Sequence, residues 1–275
     1  MKSFRDALEN YQLDPKYDYL YRRRSISGRL VKSAFELYCR LFFRVYCPLK
    51  IEGRDRLPAS PYILCSNHNS HMDSALLMLA AGTGFHSFAM TAAKDYFFNN
   101  ASRRFFLNLF MNLIPIERKF SHESFVEYLA ATRAFLDAGD RNLIIYPEGT
   151  RSLDGKMGRF KRGPAVVAVE LGIPIVPACI EGSHRRWPKG KGFIRPGGVK
   201  VTIGEPVYPD AEAVAASADS PSAPFDEYRR LIAEVESRVG ELCGNQVPEP
   251  VDLSLIHISE PTRPRLISYA VFCLK

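Results

Sequence analysis

Short apolar runs alternate with segments of helical periodicity along most of this chain of 275 residues. Apolar runs that end in Gly, Pro or polar residues predict buried strands, and apolar residues recurring every three or four positions predict helices. The predicted strands are 49–57 (a strand and a turn), 62–65, 85–91, 142–145 and 173–180, with a β ribbon at 192–206. The predicted helices are 28–48, 75–81, 105–113, 125–138, 164–171 and 225–242. This alternation predicts an α/β fold with a largely parallel central sheet flanked by helices.

Composition shifts divide the chain further. We expect an N-terminal basic amphipathic helical region at 1–48, an α/β domain at 49–208 and a linker rich in Ala, Ser and Pro at 209–224. A C-terminal helical region follows at 225–252. The last segment, 253–275, resembles a translated sequencing-library adaptor, so we exclude it from the fold prediction.

The net charge is +7 with a pI near 9.1. Without residues 253–275 it is still +5, from 34 Lys and Arg against 29 Asp and Glu. A basic chain favours an anionic partner, which could be nucleic acid, a phosphorylated substrate or an acidic membrane face. The basic helical pattern at 28–48 is compatible with a membrane surface or with ordinary packing on the domain, and the sequence leaves both open.

Two further features bear on the compartment. No uncharged apolar run reaches the 18 residues that a membrane span needs. The cysteines before the adaptor-like tail are scattered, without metal-ligand spacing, and predict reduced core residues of a cytosolic protein. They are Cys39, Cys47, Cys65, Cys179 and Cys243.

A polar cluster follows the predicted strand at 62–65. In α/β folds, chemistry lies outside the carboxyl ends of the strands. His68 can take and return a proton near neutral pH, and Asp73 can orient its ring. If Asn69 or Ser70 caps the following helix, Asp73 falls in the first turn, close to His68. The alternatives are an incidental histidine beside a helix cap and a metal site that adds His71.

Two more polar clusters end apolar runs, at 114–118 and 146–152, and an apolar segment with two prolines follows at 173–177. With the first cluster they resemble, in order, the motif blocks of the glycerolipid acyltransferase family over about 51–207. The first block is Asn67-His68 followed by Asp73, and in the second Glu117 stands before Arg118 where the family usually has Asp. The third block runs Tyr146-Pro147-Glu148-Gly149-Thr150-Arg151-Ser152, with a related Phe160-Lys161-Arg162-Gly163 segment behind it.

The resemblance implies an acyltransferase. It would move a fatty acyl group from acyl-CoA or acyl-carrier protein to the free hydroxyl of 1-acyl-sn-glycerol-3-phosphate, without cofactor or metal. His68 would be the general base and Asp73 its orienting acid. The implied substrate-binding residues are Lys94, Arg118, Glu148, Gly149, Thr150 and Arg151.

Other functions stay open at this stage. The acceptor could be another lysophospholipid or glycerol 3-phosphate, and outside the family the chain could be a metal-dependent hydrolase or a non-catalytic lipid-binding module. Basic residues near Trp187 suit a membrane face or the phosphates of coenzyme A, and no nucleic-acid-binding signature accompanies them. We therefore expect a lysophospholipid, an acyl donor and a membrane surface as partners, at the cytoplasmic face, with peripheral or monotopic attachment.

Overall fold

The computed structural model of the protein describes residues 4–21, 26–94, 111–117, 121–210 and 223–244. The strands are β1 (Leu49–Glu52), β2 (Ile63–Ser66), β3 (Phe88–Ala93), β4 (Asn112–Ile116), β5 (Asn142–Ile145), β6 (Ile175–Glu181) and β7 (Val199–Ile203). The helices are α1 (Phe4–Glu9), α2 (Ile26–Val45), α3 (Asp73–Ala81), α4 (His122–Leu136), α5 (Gly163–Leu171), α6 (Ser183–Arg186) and α7 (Ala223–Leu242). Short 3-10 turns lie at Pro15–Leu20, Arg54–Arg56 and Phe85–Ser87.

The described strands form one sheet in the order β1-β7-β6-β2-β5-β3-β4. The five strands from β6 to β4 are parallel to their neighbours, whereas β7 runs antiparallel to β6 and parallel to β1. The predicted α/β fold with a largely parallel sheet is confirmed. Its central strand, β2, therefore has parallel neighbours on both sides, and all their carboxyl ends meet at one edge.

Helices cover both faces of the sheet. Leu129 of α4, Val166 of α5 and Val235 of α7 belong to one buried cluster. Phe43 of α2 and Leu76 of α3 belong to the other. Every residue of β2 is buried, which is why a parallel strand reads as a continuous apolar run instead of alternating.

The N-terminal residues pack into the first of these clusters. Leu8, Tyr17 and Leu20 are buried there with α4. No helix in the described part of the chain combines the length and the apolar content needed to cross a bilayer.

Two predicted elements differ from the structure. The helix predicted at 105–113 cannot extend to its last two residues, because Asn112 and Leu113 begin β4. This strand lies at the sheet edge, where Pro115 is tolerated. The predicted ribbon at 192–206 contains one strand, β7, whose partners are β1 and β6 instead of an adjacent hairpin arm.

The cysteine prediction is also corrected. Cys179 in β6 and Cys243 just after α7 form a disulfide with a Cα–Cα distance of 5.5 Å. They are 64 residues apart in sequence, and only the packing of α7 on β6 brings them together. Cys39, Cys47 and Cys65 are free and buried, as expected of core cysteines.

The other end of the chain is described only in part. The predicted C-terminal helix is present as α7. Most of the predicted linker, residues 211–222, and the whole segment 245–275, including its adaptor-like tail, lie outside the described residues.

Candidate active site

The loop after β2 places a carboxylate at the start of α3. Asp73 is the first residue of this helix, and its Oδ2 accepts the backbone N–H groups of Asn69 and Ser70, both at 2.7 Å. A helix N-terminus favours a negative charge, so the carboxylate suits this position. The N-cap is Met72, without a side-chain cap, so neither Ser70 nor Asn69 takes the capping role considered from the sequence.

His68 lies beside this carboxylate. Its Nδ1 is 3.0 Å from Asp73 Oδ2. Since Oδ2 already accepts two backbone N–H groups, Nδ1 is the donor in this contact. The Asp73 side chain is fully buried, whereas that of His68 is 19% exposed. The arrangement fixes one tautomer and leaves Nε2 as the ring nitrogen that can take a proton.

Tyr146, at the end of β5, packs flat against His68. The ring centroids are 3.8 Å apart with 11° between the planes. The Tyr146 hydroxyl shares a 2.9 Å hydrogen bond with Ser74 Oγ in the first turn of α3. Burial, followed by the charge of Asp73, raises the pKa of Tyr146 well above its ordinary value, so the hydroxyl stays neutral. Tyr146 was expected only as the first residue of the third motif block, and no sequence signal indicates that it stacks on His68.

The loop after β5 also holds the backbone of His68. Glu148 Oε1 accepts the His68 N–H at 2.9 Å, and the Ser152 N–H donates to the His68 carbonyl at 2.7 Å. Burial raises the pKa of the Glu148 carboxyl to about 7, and the nearby charges of Asp73 and Asp154 add to this effect. Glu148 is therefore a buried side chain that holds residues 67–72, the loop between β2 and α3, called here the histidine loop.

Gly149 and Thr150 form the outer turn of the same loop. Gly149 has a φ of 72°, and a Cβ there would lie 2.9 Å from Lys161 Nζ. The Lys161 N–H donates to the Pro147 carbonyl at 3.0 Å, which places the Phe160–Gly163 segment against this turn. Thr150 is exposed, and its Oγ1 accepts from Lys189 Nζ at 3.3 Å.

Arg151 brings a cation to the histidine loop. Its charge, after the larger effect of burial, lowers the pKa of His71. Arg151 Nη1 is buried without a hydrogen-bond acceptor among the described residues. A buried guanidinium nitrogen without a protein partner is suited to an anionic ligand.

The donor set for the alternative metal site is not assembled in this part of the structure. The His71 ring packs against the Trp187 ring, with 5.2 Å between centroids. Among the residues described, no three His, Cys, Asp or Glu side chains form a group that could hold a metal ion.

The second motif block lies further along the same edge. Lys94, after β3, forms a 2.7 Å salt bridge with Glu117, after β4, and both side chains are partly exposed. The pairing follows from the register, because Ala93 lies opposite Ile116. Lys94 is two strands away from β2, about 10 Å across the sheet. Arg118 falls in the gap between the described segments 111–117 and 121–210.

Asn67 has a structural place in the site. Its Nδ2 donates to the Ile180 carbonyl at 2.9 Å, and its Oδ1 accepts the Ile180 N–H at 2.8 Å. The side chain thus continues the pairing between β2 and β6 beyond the last residue of β2. This fixes the point where the histidine loop leaves the sheet.

A histidine–carboxylate pair at the carboxyl end of a central parallel strand, with an arginine beside it, is an arrangement typical of α/β enzyme sites. Comparison with known proteins shows which enzymes this site resembles. Residues 48–181, just under half of the chain, match the acyltransferase family, and this match supports the expected resemblance to the glycerolipid acyltransferases.

Relatives from plants and bacteria are acyltransferases as well. The chain is 30% identical over 182 residues to a chloroplastic 1-acyl-sn-glycerol-3-phosphate acyltransferase of Arabidopsis thaliana, covering 63% of this chain and 47% of that protein. It is 32% identical over 111 residues to a 1-acyl-sn-glycerol-3-phosphate acyltransferase of Pseudomonas aeruginosa, covering 39% and 40%. The chain spans about half the length of the chloroplastic relatives that it matches.

A solved structure shares the fold. The crystal structure of the 1-acyl-sn-glycerophosphate acyltransferase PlsC from Thermotoga maritima superimposes with a TM-score of 0.53 at 22% identity. The match covers 85% of this chain and 93% of that one.

Proposed function

We propose that the protein transfers a fatty acyl group from acyl-CoA or acyl-carrier protein to the free hydroxyl of 1-acyl-sn-glycerol-3-phosphate, forming phosphatidic acid. The observation that carries this proposal is the 3.0 Å contact between His68 Nδ1 and the buried Asp73 carboxylate. The relatives are 1-acyl-sn-glycerol-3-phosphate acyltransferases, which supports this acceptor, and Arg151 Nη1, unpaired among the described residues, supports an anionic head group.

The chemistry needs one proton acceptor and no protein nucleophile. His68 Nε2 takes the proton of the acceptor hydroxyl as its oxygen attacks the thioester carbonyl. Asp73 stabilises the imidazolium that forms, through Nδ1. The tetrahedral intermediate then expels the thiolate, the carbon–sulfur bond breaks, and the thiolate takes the proton from Nε2. The products are the ester and the free thiol.

The same edge of the sheet offers a place for the acceptor's phosphate. We assign Arg151 to the phosphate, with the turn at Gly149 and Thr150 presenting backbone and hydroxyl groups beside it. Glu148 acts from beneath this turn by holding the backbone of His68. Arg118 and Lys94 stay predicted contributors, and the Glu117 carboxylate competes with any anion for Lys94.

The test measures thiol release from acyl-CoA in the presence of 1-acyl-sn-glycerol-3-phosphate. We expect His68→Ala to abolish acceptor-dependent release, and Asp73→Asn to lower kcat by about two to four orders of magnitude, because the ring loses its orienting charge. His71→Ala is the matched control and should keep most of the activity. Wild-type turnover by His68→Ala, or full inhibition of the wild type by EDTA, would refute the mechanism.

We also propose that the protein works at a membrane face, which its lipid acceptor requires. One face of α2 packs into the fold through Cys39 and Phe43. The opposite side presents Leu30, Leu41 and Val45, between 56% and 78% exposed. An apolar stripe on a helix that also carries basic residues is suited to a lipid surface.

A further inference from the structure

A strongly basic segment lies between β6 and the end of β7. From residue 182 to residue 204 the sequence contains six Lys and Arg residues and no Asp or Glu. Residues 187–197 of this segment form a surface loop, called here the basic loop. Such a density of one sign attracts an anionic partner.

Phe193 stands at the tip of the basic loop. Its side chain is 89% exposed, the highest value among the large hydrophobic residues that the structure describes. Lys191 and Arg195 flank it, and both are exposed. An exposed aromatic ring between two cations indicates a binding partner whose interior is apolar and whose surface is anionic.

The loop holds its shape through its own contacts. Trp187 Nε1 donates to the Lys191 carbonyl at 2.7 Å, and Arg186 Nη1 donates to the Pro196 carbonyl at 2.7 Å. The Arg186 guanidinium also fills the space beside Gly197, where a Cβ would lie 2.4 Å away. These contacts hold the loop backbone in one conformation, and Phe193 is exposed in that conformation.

Hydrogen bonds join the basic loop to the end of α2. The Tyr46 hydroxyl donates to the Ile194 carbonyl at 3.0 Å, and the Gly197 N–H donates to the Tyr46 carbonyl at 3.1 Å. Val45, at the end of the exposed stripe of α2, directly precedes Tyr46. Phe193 is therefore adjacent to a loop residue that is hydrogen-bonded to the end of the exposed α2 stripe.

The other side of the loop contacts the candidate active site. Ser70 Oγ, in the histidine loop, donates to the Trp187 carbonyl at 2.7 Å. Lys189 Nζ donates to Thr150 Oγ1, next to Arg151. The basic loop therefore lies between the α2 stripe and the residues that would receive the acceptor.

We propose that the basic loop is a second membrane contact, in which Phe193 inserts into an anionic bilayer while Lys191 and Arg195 bind lipid headgroups. This inference rests on the proposed function and adds a docking element to it. An acidic carrier protein could also meet the cations. A bilayer fits better, because Phe193 is almost wholly exposed and the loop is hydrogen-bonded to the end of α2, whose exposed apolar stripe we assign to a lipid surface.

The experiment measures sedimentation of the full chain with vesicles of phosphatidylcholine, with and without phosphatidylglycerol. We expect Phe193→Ser to weaken partitioning to anionic vesicles about tenfold or more, from lost apolar burial. Lys191→Ser should weaken it about fivefold, and only where phosphatidylglycerol is present. Both variants should unfold at the wild-type temperature, since the side chains are exposed.

Matched controls lie away from this surface. Tyr208→Ser removes an exposed aromatic residue at the opposite end of β6, where Val207 pairs with Ile175. Arg133→Ser removes an exposed cation from α4, on the other face of the sheet from α2. Both controls should partition like the wild type.

Three outcomes overturn the proposal. The first is that Phe193→Ser partitions to anionic vesicles like the wild type. The second is that Tyr208→Ser loses as much partitioning as Phe193→Ser. In the third, Phe193→Ser and Lys191→Ser partition like the wild type, but their KM rises for acyl-carrier protein and not for acyl-CoA. That result would make the loop a protein-docking surface. Because partitioning is measured without turnover, it stays informative even if the wild type transfers no acyl group.

Discussion

At the residue scale, three hydrogen bonds and one ring stack hold His68. Asp73 fixes Nδ1, and Tyr146 stacks on the ring. Glu148 accepts the backbone N–H of His68, and Ser152 donates to its carbonyl. In the proposed role of general base, a histidine held in this way would need little reorganisation when it receives a proton, which is a source of rate enhancement.

The buried Glu148 carboxyl should make stability depend on pH. Its pKa of about 7 lies above the ordinary value of 4.5, so between these values the folded state keeps a proton that the unfolded state releases. Its contribution to stability is therefore full below the ordinary value and is lost as pH rises through 7.

We expect the free energy of unfolding, measured in urea from about pH 5 to pH 8, to fall less steeply in Glu148→Gln than in the wild type. Gln keeps a carbonyl that can accept the His68 N–H. Glu205→Gln, which removes a carboxylate that is 68% exposed, is the control. Parallel curves for the wild type and Glu148→Gln would contradict the assignment.

Arg151 should decide the use of a phosphate-bearing acceptor. A charge-assisted hydrogen bond contributes about 1.5–3 kcal/mol, so Arg151→Ala should raise KM for 1-acyl-sn-glycerol-3-phosphate about tenfold or more. The KM for an acceptor without phosphate, such as 1-acylglycerol, should change little. Arg159→Ala removes a partly exposed arginine nearby that pairs with Glu236, and it is the control. Equal losses on both acceptors would remove Arg151 from the phosphate site.

At the element scale, parallel strands gather distant segments at one edge. The histidine loop follows β2, the Glu148 loop follows β5, and Lys94 and Glu117 follow β3 and β4. Adjacent carboxyl ends bring residues 80 positions apart, such as His68 and Glu148, into hydrogen-bond contact. The site is therefore a property of the strand order β6-β2-β5 as much as of any motif.

The side chain that continues this pairing should matter for stability. Asn67→Ala leaves the buried N–H and carbonyl of Ile180 without partners, at a cost of about 2–4 kcal/mol in the free energy of unfolding. The nearby Asn69 is equally buried, but its Oδ1 has no hydrogen-bond partner among the described residues. Asn69→Ala should therefore cost about 1 kcal/mol or less in the same urea titration. Similar losses for both variants would show that burial alone, and not the bridge to Ile180, determines the effect.

At the scale of the whole molecule, the N-terminal residues are part of the packed structure. Leu8, Tyr17 and Leu20 are buried among residues of α4. The Tyr19 hydroxyl donates to the Leu113 carbonyl, which joins this segment to β4 at 2.8 Å. We propose that residues 4–21 and 26–48 fold together with the α/β domain instead of forming a separate region.

A pair of leucine substitutions tests this proposal. Leu20 is 3% exposed, so Leu20→Ala should lower the free energy of unfolding by about 2–4 kcal/mol in a single cooperative transition. Leu30→Ala, on the exposed stripe of α2, should change it by no more than about 0.5 kcal/mol. A separate early transition in urea would show that the N-terminal segment unfolds independently.

The sequence alone was sufficient to predict the fold class, because buried parallel strands appear as short apolar runs between helices. It was also sufficient to predict that His68 and Asp73 lie close together, because Asp73 follows five positions later in the first turn of a helix. Their catalytic roles came from the resemblance to the acyltransferase family and stay predictions. Local spacing could not reveal the stacking of Tyr146 on His68, because nothing in the order of residues specifies ring orientation.

The longer-range features were decided by tertiary packing. The 105–113 prediction failed at its end because apolar runs have no period that separates an edge strand from a helix. The pairing of Cys179 with Cys243 depends on where α7 docks, and the exposure of Phe193 depends on how the basic loop is braced. Contacts between residues close in sequence can be predicted from their spacing, whereas contacts between distant segments depend on the strand order of the folded sheet.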